Sequence, residues 1–264
     1  MPESQHPHHA HDAVGTPVGT GTEAPARPAQ TGRETVEFWE QRYAGASPVW
    51  SGRANDSLVA ATARLAPGRA LDLGCGEGGD SLWLASQGWS VTGIDISPTA
   101  IDRARAATDE ADVRRADVRW VVADLEEWLD AETAAITDAA TDAVGADGTS
   151  TTGLPPGGGY DLVSACFFQS PVRLDRTGVL RGAAALLQRG GHLLVVSHAA
   201  PPPWSNLAAG HDHLFLSPDQ ELDALGLPTS QWQVVTAEVR RRAATAPDGS
   251  AATLDDSVVL LRRR

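Results

Sequence analysis

The sequence predicts a doubly wound α/β fold, a mostly parallel sheet with helices on both faces and an antiparallel hairpin at its C-terminal end. Three observations carry that expectation. From Arg69 onward, short apolar runs alternate with amphipathic stretches of helical length, the pattern of repeated βα units. The first of these units turns from strand to helix through a glycine-rich loop, Gly74-Cys75-Gly76-Glu77-Gly78-Gly79. The last two apolar stretches, Gln231 to Arg242 and Thr253 to Arg263, follow one another with no helical pattern between them, as in a hairpin closing a sheet edge.

The elements are expected in this order. Residues 1–33 are rich in Pro, Gly, Thr, Ala and His with almost no large apolar side chains. Such a segment buries too little surface to offset its ordering entropy, so it is expected to be a disordered tail. The ordered domain is expected over 34–264. Phe38, Trp39 and Tyr43 recur at helical spacing, and Ser57 to Leu65 reads as a second helix, the two making a 34–66 N-terminal segment. Ala70 to Gly74, Trp89 to Asp95 and Val118 to Ala123 read as the first three strands, with helices over Asp80 to Gln87 and Ala100 to Ala107. Ser97-Pro98 starts the second of these helices, with Ser as cap and Pro in the first turn. Residues 131–159 interrupt the rhythm with Ala, Thr, Asp, Pro and Gly, and read as a flexible insertion within one domain. Tyr160 to Phe168 is a fourth strand, Arg176 to Gln188 a helix, and His192 to Ser197 a fifth strand.

Composition narrows the function. The chain has 264 residues, of which 42% are hydrophobic, and a net charge of −13. That charge disfavours a general nucleic-acid binder or an anionic-membrane binder, both of which need a dense basic patch. Arg supplies every basic side chain and Lys is absent, which reads as genomic bias. No basic segment precedes an apolar run at the N-terminus, and no apolar stretch reaches the roughly 20 residues of a membrane helix, so the expectation is a cytoplasmic location. The two cysteines, Cys75 and Cys166, are too few for a disulfide scaffold and read as small buried residues. His6, His8, His9 and His11 lie in the tail, where metal binding would be adventitious, and no metal site is expected.

The glycine loop satisfies two fingerprints. Gly74, Gly76 and Gly79 fit the dinucleotide pattern, whereas Asp72, Gly74, Gly76 and Gly78 fit an acidic residue followed by three glycines at alternate positions. The chemistry of the two differs. A dinucleotide loop must neutralise a pyrophosphate, which an adjacent acid opposes; a cationic ligand would welcome it. Asp95 closes the second strand about 20 residues on, where a carboxylate can accept both hydroxyls of a ribose. Asp124 closes the third strand, where it can accept a bond from an adenine amino group or cap the helix that starts at Leu125.

On these residues the chain resembles the class I S-adenosylmethionine-dependent methyltransferases, which are Rossmann-like. Asp72 to Gly78 is similar to the first motif of that family, and Leu186 to Leu194, through Gly190-Gly191, to its late turn into the fifth strand. The terminal hairpin resembles the reversed last strand of that fold. The resemblance implies S-adenosylmethionine as cofactor, held by Asp72, Gly74, Gly76, Gly78, Asp95 with Ile96, Asp124 with Leu125, and Cys166. The segment Phe38 to Tyr43 followed by Trp50 resembles the lid of the thiopurine and tellurite-resistance type of small-molecule methyltransferase. It implies that Tyr43 and Trp50 pack near the sulfonium or the substrate and that Arg42 reaches the cofactor carboxylate. A helix docking its aromatic face on the sheet is the structural alternative for the same residues.

Methyl transfer from a sulfonium is an in-line displacement, and a phenol or amine acceptor needs a base where a thiolate does not. His198, just past the fifth strand, is the candidate base; an imidazole ordinarily titrates near neutrality. Phe167 and Phe168 are candidate walls of a substrate pocket, and Trp204, after three prolines, would close it. His211 and His213 are candidate substrate contacts. The implied partner is a small-molecule methyl acceptor. Two rival functions remain at this stage, an NAD-dependent oxidoreductase and a non-enzymatic S-adenosylmethionine-binding regulator. The acceptor atom and the oligomeric state are not encoded in any motif of the chain.

Overall fold

The computed structural model describes residues 32–45, 48–110, 117–132, 159–205 and 215–264. All but the last two residues of the expected 1–33 tail, nearly all of the 131–159 insertion, and His211 and His213 lie outside the described residues, while Gly32 and Arg33 already belong to the first helix.

The strands are β1 (Arg69–Leu73), β2 (Ser90–Asp95), β3 (Val118–Val122), β4 (Tyr160–Cys166), β5 (Leu187–His198), β6 (Trp232–Thr245) and β7 (Ala251–Arg263). They form one sheet in the order β3-β2-β1-β4-β5-β7-β6. The first five pair in parallel, and β7 enters antiparallel between β5 and β6. The order reverses between β1 and β4, which opens a crevice at the carboxyl ends of these strands.

The parallel strands read as nearly continuous apolar runs because both of their faces are covered. Period-two alternation divides them. Leu71, Leu73, Val163, Leu193, Val195, Val259 and Leu261 point to one core, which α6 and α7 cover. Ala70, Leu162, Leu194, Val196, Val258 and Leu260 point to the other, with Leu58 and Leu84 packed on them. The helices are α1 (Gly32–Tyr43), α2 (Asp56–Thr62), α3 (Gly79–Ser86), α4 (Pro98–Glu110), α5 (described over 125–132), α6 (Arg176–Ala185) and α7 (Pro218–Leu225). Their starts follow side-chain chemistry. Asn55 caps α2, Asp175 caps α6, and Ser217 with Gln220 forms a reciprocal capping box on α7.

Most boundaries fall within a few residues of expectation, the fourth strand ending at Cys166 rather than Phe168 for example, and one departs further. The helix expected to reach Gln188 stops at Ala185, and β5 begins at Leu187 rather than His192. Pairing with β4 shifts register there, from Tyr160↔Leu187 to Leu162↔His192. Gly190 takes φ 85° and a Cβ on Gly191 would lie 2.9 Å from the Tyr160 carbonyl. The glycine pair therefore carries a bulge inside the strand rather than a break before it.

Candidate active site

The crevice at the carboxyl edge is a cleft of about 620 Å³. Its floor is the β1–α3 loop. Gly74 and Gly76 take φ of 64° and 54°, in the left-handed region where a side chain is strained. A Cβ on Gly74 would lie 2.7 Å from the Phe168 ring, and one on Gly76 would lie 3.0 Å from the Tyr43 hydroxyl. Glycine here keeps backbone bare along the cleft. Gly78 does something else. It is not on the lining, and a Cβ there would meet the Trp120 ring at 2.6 Å and Ala104 at 2.9 Å. Its lack of a side chain serves helix packing below the loop, so its place in the motif has a packing reason apart from the cofactor contact expected of it.

Asp95, at the end of β2, holds the loop in shape. Its Oδ2 accepts the Gly76 N–H at 2.9 Å and its Oδ1 accepts the Ser97 N–H at 2.9 Å. Each oxygen has a further lone pair, so the carboxylate can still accept two hydroxyls. Burial raises its pKa, against the lowering effect of those backbone bonds. Asp72 lies deeper, where Oδ2 accepts from the Ser81 hydroxyl at 2.6 Å and Oδ1 from the Ser164 hydroxyl at 2.9 Å. The β1–β4 register places Asp72 directly opposite Ser164. Burial, and then the charge of Asp80, push the Asp72 carboxyl up to about 7. Asp80, in the first turn of α3, is also raised by burial, while the Asn55 N–H, which it accepts at 2.6 Å, lowers it. Burial likewise pushes the Cys75 and Cys166 thiols well up, so both are protonated thiols at neutral pH.

Two buried carboxyl groups, Asp72 and Asp95, and the half-buried Asp80 thus line the cleft together, and the charges that bear on Asp72 are those of Asp80 and Asp95, both negative. A pyrophosphate would aggravate that arrangement, whereas an ammonium and a sulfonium would relieve it. At the other end Asp124, Leu125 and Ile96 line the cleft, with Asp124 Oδ1 accepting the Glu126 N–H at 2.9 Å as the cap of α5. Both expected roles of Asp124 are compatible, because one oxygen and spare lone pairs are left over.

Helix α1 roofs the cleft, anchored at both of its ends. Thr35 donates to the Arg173 carbonyl at 3.2 Å. Glu40 accepts from the Ser97 hydroxyl at 2.6 Å and from the Thr99 hydroxyl, and these bonds hold its carboxyl below the usual range. Trp39, Tyr43 and Trp50 line the cleft from above, with Trp50 Nε1 donating to the Tyr43 hydroxyl at 3.0 Å. Arg42 is placed differently from expectation. It is exposed and off the lining, its guanidinium 6.0 Å from the centre of the Trp50 ring. Successive helical positions point about 100° apart, and with Tyr43 buried toward the cleft Arg42 is turned to solvent.

The sequence reading missed Glu77. This loop side chain, 8% exposed, accepts the Val49 N–H at 3.1 Å and the Trp50 N–H at 2.9 Å, and pairs with Arg103 at 2.6 Å. Burial raises its pKa but these bonds outweigh it, and the net shift is downward. Glu77 therefore ties the roof to the floor. Its position inside the glycine motif was the only signal.

The far wall follows β4. Phe167 and Phe168 line the cleft, and Phe167 has φ 53°. A non-glycine residue in that region is strained by about 1–3 kcal/mol and persists only where its surroundings hold it. Arg176 does so from α6, donating to the Phe168 carbonyl at 2.9 Å and to the Ser197 hydroxyl at 2.8 Å while pairing with the buried Glu221 at 2.7 Å. Cys166 and His198 complete this wall, with the His198 ring 4.4 Å from that of Phe167. Trp204 is off the lining. Among the described residues there is no cluster of potential metal ligands, and no helix is long and apolar enough to cross a membrane.

Fold and site together define an architecture, the Rossmann-like fold that solved S-adenosylmethionine-dependent methyltransferases share. Residues 70–146 match the family model described as a methyltransferase domain. A stretch of 35 residues is 51% identical to a ribosomal RNA small subunit methyltransferase C of Alcanivorax borkumensis, covering 13% of this chain and 11% of that one. Three solved structures share the fold. The first, described under conversion of a disulfide bond into a thioacetal group during echinomycin biosynthesis, is 23% identical, with 87% and 91% of the two chains covered and a TM-score of 0.55. TehB from Haemophilus influenzae is 15% identical over 86% of this chain and 66% of its own, also at 0.55. The 1,6-didemethyltoxoflavin-N1-methyltransferase of Burkholderia thailandensis, with S-adenosylhomocysteine bound, is 18% identical over 90% and 92%, at 0.54.

Proposed function

We propose that this chain transfers a methyl group from S-adenosylmethionine to a small-molecule nucleophile by in-line displacement. The observation that carries the reading is the pairing of a bare glycine floor with the carboxyl groups of Asp72, Asp80 and Asp95 in a roofed cleft. When bound, the cofactor supplies a methyl group already activated by a positive sulfur. The protein has then to bind, orient and exclude water.

In this reading Asp95 accepts the ribose hydroxyls and Asp124, beside Ile96 and Leu125, the adenine amino group. Asp72 and Asp80 compensate the ammonium, and Gly74 and Gly76 leave room for the amino-acid tail. Tyr43 and Trp50 cover the reacting end. Phe167 and Phe168 form an apolar wall for the acceptor, and His198 takes its proton where it carries one. A roofed cleft of this size and a net charge of −13 suit a small acceptor better than a nucleic acid. Domain limits of 34–264 and a cytoplasmic location belong to the same reading.

Calorimetry with S-adenosylmethionine, S-adenosylhomocysteine and NAD tests it first. Binding of the two sulfur compounds and not of NAD is expected. A screen for S-adenosylhomocysteine release against thiols, phenols, amines and oxyanions such as tellurite then separates an enzyme from a binding regulator. Replacing His198 with Gln is expected to lower turnover of a phenol or amine about 10²–10⁴-fold with cofactor affinity unchanged. Equal turnover would remove it as the base.

A further inference from the structure

The cleft wall holds an acid–imidazole pair that no motif of the sequence announced. His198 ends β5, and Asp256 is its direct partner on the antiparallel β7. Residues directly opposite in such a pair project to the same face with Cβ atoms about 5 Å apart. Here His198 Nδ1 stands 3.4 Å from Asp256 Oδ1.

Three features separate this from an incidental contact. Asp256 is 0% exposed, and a buried carboxylate must be paired. Its Oδ2 accepts from Arg242 Nε at 2.6 Å, which fixes the plane of the carboxylate and aims Oδ1 at the imidazole. Asp256 Oδ1 and His198 Nδ1 are also both buried atoms without a hydrogen-bond partner, close to each other but not yet aligned as a bond. With a proton on Nδ1, a slight turn of the ring satisfies both at once, whereas a proton on Nε2 would leave two lone pairs facing each other. Around the ring stand Phe167, with the Arg242 guanidinium 5.4 Å from its centre, and Gln169, whose Oε1 accepts the His198 backbone N–H at 2.9 Å.

We infer that Asp256 is a positioning residue, anchored by Arg242, that holds His198 with Nδ1 protonated so that Nε2 is the nitrogen offered to the cleft. The inference deepens the proposed methyl transfer and rests on it for its role in turnover. There the acceptor's X–H bond breaks, its electron pair forms the bond to the methyl carbon, and its proton goes to Nε2 and then to water. The electron pair of the broken carbon–sulfur bond stays on sulfur. The device directs the chain toward acceptors that must lose a proton, phenols and amines above preformed thiolates.

The test is nitrogen NMR of the full chain labelled with ¹⁵N-histidine, ligand-free and with S-adenosylhomocysteine. The His198 signals are assigned by their loss in His198→Gln. In the wild-type protein the neutral His198 ring is expected to be mainly the Nδ1–H tautomer. In Asp256→Asn, the ratio of the Nδ1–H to the Nε2–H form is expected to fall at least about threefold, because the amide can offer a donor to Nδ1. A wild-type ring found mainly as the Nε2–H form would overturn the inference, with no need for any variant to fold. So would an unchanged ratio in an Asp256→Asn protein whose circular dichroism melt is cooperative. Failure of the wild-type protein to bind S-adenosylhomocysteine would instead strike at the methyltransferase reading, while the ligand-free tautomer ratio still decides the pairing.

Discussion

On the proposed reading Asp72 serves the ligand at the expense of the fold, and Asp72→Asn isolates that trade. Asparagine keeps the shape, and the Ser81 and Ser164 hydroxyls can reorient to bond it. What it removes is the ionisation. Burial, with the charge of Asp80, carries the carboxyl from its usual 3.8 up to about 7. The folded state thus holds a proton that the unfolded chain gives up near pH 4. The sign follows: Asp72 is neutral in cost below that pH, and it destabilises the fold increasingly as pH rises to about 7, with the full penalty present above. At 1.36 kcal/mol per unit the penalty is roughly 4 kcal/mol, of which roughly 3 kcal/mol accrues between pH 5 and 8. Asp80 and Asp95 shift in the same direction, so only the difference between variant and wild type isolates Asp72.

In differential scanning fluorimetry of the ligand-free proteins, the variant's advantage in Tm should therefore widen by roughly 6–12 °C from pH 5 to pH 8. Binding should show the opposite preference. A neutral Asp72 must ionise to meet an ammonium, so wild-type affinity for S-adenosylhomocysteine should be about tenfold weaker at pH 6 than at pH 8. The variant should be weaker than wild type at pH 8 and flat across that range. A Tm difference that does not widen with pH, or a variant that binds as tightly as wild type at pH 8, would refute the account of the acidic end of the cleft.

Glu77→Gln should loosen the roof. Two backbone N–H groups lose a charged acceptor and the ion pair to Arg103 is lost, a change of about 1.5–3 kcal/mol, read as a lowered Tm and as faster proteolysis within 44–55. Gly74→Ala should abolish S-adenosylhomocysteine binding in calorimetry. It combines a left-handed φ of 64° with a Cβ 2.7 Å from the Phe168 ring, so retention of binding would mean that the loop does not form the floor.

The cofactor end of the cleft was legible in the sequence because its parts are local. Asp72, Gly74 and Gly76 come from one turn, and Asp95 and Asp124 each close a strand, so strand periodicity alone puts them at one edge. The errors there are also local in kind. Gly78 was grouped with its neighbours by motif spacing, but which way a glycine faces depends on Trp120, which arrives from β3. Arg42 was read from its place beside Tyr43, although adjacent helical residues face different ways.

The acceptor end was only half legible, and the reason is topological. His198 could be placed from the end of β5, but its partner lies 58 positions further along the chain, and register in an antiparallel pair has no signature in either strand alone. Arg242 adds a second such dependence, since it meets Asp256 only after β6 has paired with β7. The same holds for Arg176, which supports Phe167 and Phe168 from a helix while paired to Glu221 on another. On the proposed reading, the cofactor is held by turns that read in sequence order, whereas the groups proposed to face the acceptor are set by long-range pairings. Substrate identity is therefore to be sought in what the β5–β7 pairing and the Phe167 turn can accommodate. A single substitution at Asp256 probes that surface without touching any residue of the glycine loop.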